Sequence, residues 1–403
     1  MSYIIIEKCQ ICNQRLKKFI NLGNQPLCDD LQKKPKRNIF YKLKVSFCEK
    51  CLTAYQKYNI EKKKLFPHNY HYRSANTKDV LSGMKDLVDK IKNKKKLKNK
   101  IVLDVGCNDG SLLDIFKKKG SITYGIEPTG AYLEAQNKGH RVFNDFFNIN
   151  SSTKIKKEIP NIDIITFTNV FAHIENFKDL ILSLKNIIDE KTLVVIENHY
   201  LKEVIKKNQF DTFYHEHPRT YSLNSFFEIS KLLGLKILDF NFVKRYNGNL
   251  RVFLSKTNRN LKRLKKELKR EKKIIFNYKT MKNKIKKWKQ NKKREIVSLV
   301  REMGPLPAKA FPGRASILIN LLELNKKHIS FIFEKNLSLK TGHYVPGTDI
   351  KIIKEKFLKK AIRNKGVIIN FAWHISKEIK YSLKKEFKFK GKIIDIISKK
   401  DFK

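Results

Sequence analysis

The run Ile101-Val102-Leu103-Asp104-Val105-Gly106-Cys107-Asn108-Asp109-Gly110 constrains this chain more than any other. Its apolar, β-branched start reads as a buried strand. The glycines that follow demand a tight turn, where a missing Cβ lets a ligand come close to the backbone. Tyr124-Gly125-Ile126-Glu127 then closes a second strand on a carboxylate. At the end of a second strand in a doubly wound sheet, a carboxylate is suited to accept hydrogen bonds from two ribose hydroxyls. The turn is therefore expected to hold a nucleoside, and charge selects which one. A dinucleotide would bring a pyrophosphate, yet Asp104, Asp109 and Glu127 surround a turn with no Lys or Arg, and repulsion disfavours that ligand. S-adenosylmethionine (SAM) carries a sulfonium and an ammonium and no phosphate. It is the expected cofactor, ahead of NAD and of a turn that serves structure alone.

The alternation continues past Glu127. Strands are expected at His140–Phe143, ending in Asn144-Asp145, at Ile162–Thr168 and at Leu193–Glu197, with helical stretches between them. That rhythm predicts an α/β, Rossmann-like, doubly wound sheet. Ligands in such sheets gather beyond the carboxyl ends of the strands, so Asp104, Gly106, Asn108, Asp109, Gly110, Glu127, Asp145 and Asn169 should meet in one crevice. Upstream, Tyr70-His71-Tyr72-Arg73-Ser74-Ala75-Asn76-Thr77 precedes a helix over about 78–91. Tyr72 and Ser74 can close over the cofactor, or the segment is an inter-domain turn.

Four of the six cysteines are paired, as Cys9-Gln10-Ile11-Cys12 and Cys48-Glu49-Lys50-Cys51. Two thiolates with two residues between them share one ion, and two such knuckles complete an all-sulfur tetrahedron with no open position, a structural zinc site. Cys28 and Cys107 read as buried thiols. The charge of +50, from 88 Lys and Arg against 38 Asp and Glu, would suit nucleic acid, membrane surfaces or acidic substrates. Its densest run, 256–294, carries Leu261, Leu264, Leu268, Ile275, Tyr278, Met281, Ile285 and Trp288 at near-helical spacing. The lysines there coat the outer faces of amphipathic helices, which argues against a dedicated nucleic-acid arm. No apolar stretch is long enough for a membrane span, and the opening Tyr3-Ile4-Ile5-Ile6 is too short for a secretory signal. A cytoplasmic enzyme is expected.

Chemistry concentrates past two strand ends, at Asn169-Val170-Phe171-Ala172-His173 and at Phe210-Asp211-Thr212-Phe213-Tyr214-His215-Glu216-His217-Pro218. Tyr214, Glu216 and His217, with His173, form a dense acid/base set. A metal site and a satisfied polar loop remain the competing readings.

These motifs, with Leu22-Gly23-Asn24-Gln25-Pro26-Leu27 between the knuckles, resemble the three-part nucleotide-sugar C-methyltransferases, and they occur in order along nearly the whole chain. Phe311-Pro312-Gly313-Arg314-Ala315-Ser316, the Lys340–Thr348 stretch and Phe371-Ala372-Trp373-His374 resemble that family's second Rossmann-like domain. The Asn247–Arg251 segment agrees in part, with Tyr246 and Asn247 where His and Gly are expected. The resemblance implies a zinc-binding domain over 1–68, a SAM-binding methyltransferase domain with a helical extension over 69–295 and a Rossmann-like substrate domain over 296–403. It implies that a 4-keto nucleotide sugar loses the proton beside its carbonyl and that the enolate takes the methyl group of SAM. His217 or Tyr214 would be the base, Glu216 would hold the array, and His173 would stabilise the oxygen or relay a proton. Arg251, Gly313, Arg314 and Tyr344 would contact the substrate. An RNA methyltransferase and a zinc-containing protein without catalysis are the alternatives.

Overall fold

The computed structural model describes residues 3–35, 37–76, 78–257, 262–363 and 366–402; Thr77 and Leu261, named above, lie outside them. The chain forms two compact units that are interleaved in sequence. The first takes Met1–Lys18, Ser46–Lys206 and Glu216–Phe276, and the second takes Phe19–Val45, Lys207–His215 and Asn277–Lys403.

A seven-stranded sheet organises the first unit. Its strands are β1 (Ile101–Val105), β2 (Ile122–Ile126), β3 (Arg141–Phe143), β4 (Ile164–Thr168), β5 (Leu193–His199), β6 (Lys236–Val243) and β7 (Asn249–Ser255). They lie in the order β3-β2-β1-β4-β5-β7-β6. The first five run parallel, while β7 is antiparallel to both β5 and β6. The order reverses between β1 and β4, and that switch point opens a crevice at the carboxyl ends. Leu103, Val105, Ile165, Phe167, Val194 and Ile196 pack on one face, and Val102, Ile164, Val195 and Phe253 on the other. Both faces are thus covered, as the unbroken apolar strand sequences require. Helix α1 (Lys78–Lys92) buries Val80, Met84, Leu87, Val88 and Ile91 at helical spacing. Helix α2 (Ile149–Glu158) opens on a capping box formed by Asn148 and Ser151, and α3 (Phe177–Ile187) on the Asn176 side chain, which accepts from Asp179 N.

The cysteine knuckles belong to this unit. Thr53–Gln56 pairs antiparallel with Arg219–Thr220, in the register Tyr55↔Arg219 and Ala54↔Thr220.

The second unit holds a five-stranded, wholly parallel sheet. Strands β8 (Leu306–Lys309), β9 (Ile329–Glu334), β10 (Ile352–Lys354), β11 (Val367–Asn370) and β12 (Lys392–Asp395) lie in the order β10-β9-β8-β11-β12. This is the second Rossmann-like sheet that the family resemblance implies. The long helix α4 (Met281–Met303) buries Met281, Trp288 and Ile296 and exposes Lys282, Lys286 and Lys287, so those lysines face solvent, whereas Lys292 is buried and pairs with Glu295 and Asp401.

Candidate functional site

The crevice at the carboxyl end of β1 is built by backbone conformation. Gly106, Asn108 and Gly110 all take positive φ, at 71°, 51° and 76°. A Cβ on Gly106 would lie 2.5 Å from Val170 Cγ2, so only glycine fits. Glu127, at the end of β2, accepts from Asn108 N through Oε2 (3.0 Å) and from Thr129 N and Oγ1 through Oε1 (2.9 and 2.6 Å). Each carboxylate oxygen has two lone pairs, so Oε2, with one bond, keeps acceptor capacity for a ribose. Burial pushes the Glu127 carboxyl up, against the hydrogen bonds that lower it. Asp104 accepts from Thr166 Oγ1 (2.7 Å), and burial pushes it up to about 7. Asp109 is 1% exposed and braces the turn: Oδ1 takes Ser111 N and Oγ, and Oδ2 takes Ala75 N (2.8 Å).

The segment Tyr72–Ala75 is sewn to that turn. Ser74 N donates to Asn108 Oδ1 (3.0 Å), and Asn108 Nδ2 donates to Tyr72 O (3.2 Å). This places Tyr72 and Ser74 beside the crevice. Asn169, at φ 56°, donates its N–H to Glu197 O (2.7 Å) and accepts from Asn249 Nδ2 (3.1 Å). Asp145, half-buried, accepts from Phe146 N.

Three imidazoles converge at the end of β5. The His217 ring lies 4.9 Å from that of His173 and 5.2 Å from that of His199, and His199 lies 5.3 Å from Tyr246. Tyr246 reaches Tyr72, OH to OH, at 3.5 Å. Tyr70 OH donates to Glu216 Oε2 (3.0 Å), and Phe66 packs on both Tyr70 and His173. Burial, and then the neighbouring His217, hold His173 well below the usual imidazole range, so it is neutral at neutral pH. His199, Tyr246, Tyr70 and Phe66 were not singled out from sequence as site residues. The only signal for His199 was its place just beyond a strand expected to end at Glu197.

The four sulfurs of Cys9, Cys12, Cys48 and Cys51 lie within 4.8 Å of one another. Cys9 and Cys51 approach to 3.3 Å, and Cys12 and Cys48 to 3.4 Å, close to the edges of a tetrahedron of roughly 2.3 Å zinc–sulfur bonds. Hydrogen bonds from Cys48 and Cys51 pull the Cys9 thiol down to about 2, while the neighbouring sulfurs and burial push Cys51 up. One thiolate thus opposes the next until a cation joins them, and the donor set fits zinc.

Arg251 does not stand where the sequence suggested. It is fully buried, with Nε on Glu197 Oε2 (2.7 Å) and Nη1 on Asp86 (2.8 Å). Glu197 also pairs with Arg245 (2.8 Å). Strand β7 turns the Arg251 guanidinium into a structural ion pair and leaves little of it for substrate.

The second unit has its own polar cluster. Arg314 Nε faces Asp211 Oδ2 at 3.3 Å, Arg314 Nη1 donates to Thr212 Oγ1 (3.2 Å), and Trp373 Nε1 donates to Asp211 Oδ2 (2.9 Å). Among the described residues, Arg314 Nη2 is buried without a hydrogen-bond partner. Gly313 precedes Arg314, and a Cβ there would meet the Asp29 carboxylate at 2.9 Å. Tyr344 N donates to Gln32 O (2.9 Å), which fixes its backbone. Tyr214 also belongs to this unit, whereas Glu216 and His217 belong to the first.

Three family models match the chain in series: "Putative zinc binding domain" over residues 9–66, "Methyltransferase domain" over 73–239 and "C-methyltransferase C-terminal domain" over 245–397. They cover, in series, the cysteine knuckles, the five parallel strands β1–β5 and the whole five-stranded sheet, and the methyltransferase and zinc-binding models fit SAM and zinc as the cofactors. The chain is similar to the C-methyltransferase NovU of Streptomyces niveus, at 25% identity over 254 residues; the match covers 62% of this chain and 60% of NovU, so it spans about three fifths of that relative. Among solved structures it is similar to magnesium protoporphyrin IX methyltransferase from Synechocystis PCC 6803 with bound SAH (14% identity, 44% of this chain and 84% of that one, TM-score 0.36). A SAM-dependent methyltransferase from Archaeoglobus fulgidus is also similar (13%, 42% and 93%, TM-score 0.34).

Proposed function

We propose that the chain is a C-methyltransferase that removes the proton beside the ketone of a 4-keto nucleotide-activated sugar and transfers a methyl group to that carbon. The observation that carries this reading is the placing of His173, His217 and Glu216 in the same unit as the crevice of Asp104 and Glu127. SAM supplies the electrophilic methyl group. Glu127 holds the ribose, and Tyr72, Ser74, Asn108 and Asn169 frame the crevice. His217 or Tyr214 takes the proton; Glu216, held by Tyr70, keeps the array in place. His173, neutral through burial, donates a hydrogen bond to the enolate oxygen without the cost of a buried charge. Gly313, Arg314 and Tyr344 receive the nucleotide diphosphate, for which the unpartnered Arg314 Nη2 is a charged donor. Four of the cysteines lie in a zinc-type cluster, which suits a reducing cytoplasm.

The test is incubation with SAM and a panel of nucleotide-linked 4-ketosugars, read by mass. One member should gain a single methyl group. Without SAM, deuterated water should place deuterium beside its ketone, and His217→Asn and Tyr214→Phe should suppress both exchange and methyl transfer by a hundredfold to ten-thousandfold, roughly what a positioned base supplies. No methylation of any member, or near-normal turnover in both variants, would overturn the reading.

A further inference from the structure

We infer that Arg219 is a positioning residue that couples the cysteine knuckle to the histidine cluster, so that zinc governs the placing of His173 and His217 as well as the local fold. The inference rests on the proposed role of those histidines.

Arg219 is 1% exposed, and a buried guanidinium must find acceptors for its donors. It finds them on three separate segments. Nη1 donates to the side-chain oxygen of Gln10, the residue directly after zinc ligand Cys9. Nη1 also donates to Glu175 O (3.0 Å), and Nη2 donates to Ile174 O, the two carbonyls that directly follow His173. Nε donates to Tyr221 OH (2.8 Å). The guanidinium further lies 5.4 Å from the Phe177 ring, at the start of α3.

The backbone of Arg219 is fixed by the same knuckle. It pairs with Tyr55, whose OH lies 3.1 Å from Cys9 Sγ, and Gln56 N donates to Pro218 O (2.9 Å). His217 therefore sits two residues before a strand registered on the knuckle, and His173 one residue before carbonyls clamped by Arg219. Only a planar fork with several fixed donors can bridge these acceptors at once.

The test uses full-length, zinc-loaded protein and does not need the acceptor. Histidine ring signals are followed by NMR and assigned with His173→Asn and His217→Asn. In Arg219→Met and Arg219→Lys, the His173 and His217 signals should shift while zinc stays stoichiometric and the Kd for S-adenosylhomocysteine stays within about twofold. Lysine keeps the charge and loses the fork, so it should not restore the signals. Misplaced catalytic groups should also lower kcat by up to about a hundredfold with KM little changed. Unchanged His173 and His217 signals in either variant would overturn the inference, whatever the activity. Should Arg219→Met fail to fold, Gln10→Ala cuts the knuckle side of the bridge alone, and an unmoved His173 signal in it would be equally fatal. If no ketosugar is methylated yet the signals move, the coupling stands and the functional reading falls.

Discussion

Glu127 and Asp104 are both buried carboxylates, and they differ in how they are held. Glu127 accepts from Asn108 and Thr129 and is the residue proposed to hold a ribose. Glu127→Ala should weaken S-adenosylhomocysteine binding by roughly 1.5–3 kcal/mol, the scale of charged hydrogen bonds, measured by calorimetry. Asp104 accepts from Thr166, and burial raises it to about 7. Its contribution to folding is fully present below its unfolded value and is lost as pH rises through about 7. A bound sulfonium and ammonium favour the ionised form, so SAM binding at about pH 6 should release a proton. Calorimetry in buffers of different ionisation heat would show it, and Asp104→Asn should abolish it. Both residues could be read from sequence because a glycine turn and a strand-ending acid are local patterns. His199 and Tyr246 could not, since they meet only after β5 and β7 are brought side by side.

At the scale of elements, the β5–β7 pair shows how a sequence pattern misleads. Arg251 follows a glycine-rich stretch and looked like a ligand residue, yet the antiparallel register sets Glu197 opposite Arg251. Arg251→Met should destabilise the first unit by about 3–5 kcal/mol, because it strands a buried carboxylate, measured by denaturant unfolding. Despite its burial, the Glu197 carboxyl is held below its usual range by Arg245 and Arg251. Its contribution is therefore present above the unfolded carboxylate value and is lost as pH falls through the lower folded value. Gly106→Ala should cost donor binding through Val170, and Gly106→Ala with Val170→Ala should recover part of it, since the clash is with that side chain. The parallel strands and their covering helices were legible because their apolar periods are strong. The pairing of β7 between β5 and β6 was not, because nothing local in a strand names its neighbour.

For the whole molecule, the charge of +50 is the dominant long-range term. Self-repulsion at that charge weakens the compact state, so raising salt from about 20 to about 300 mM, which shortens the Debye length roughly fourfold, should raise Tm in a dye-based melt. Zinc removal acts on a different scale: Cys48→Ser should lose stoichiometric metal and lower the stability of the first unit alone. The four ligands were plain from their spacing. The interleaving of the two units was not, for it depends on where the chain leaves one unit and re-enters it, a property that composition and periodicity do not carry.

That interleaving bears on the order in which a ribosome releases this chain. Phe19–Val45 emerges early, yet its unit also needs Asn277–Lys403, made long after it. At about 5–20 residues per second, an early segment waits for tens of seconds before its partners exist, with Phe19, Leu22 and Leu43, all buried in the finished protein, exposed meanwhile. Fragments that stop at Phe276 should therefore aggregate on expression even though His173 and His217 are present. A nascent chain stalled there should bind holdase chaperones through residues 19–45.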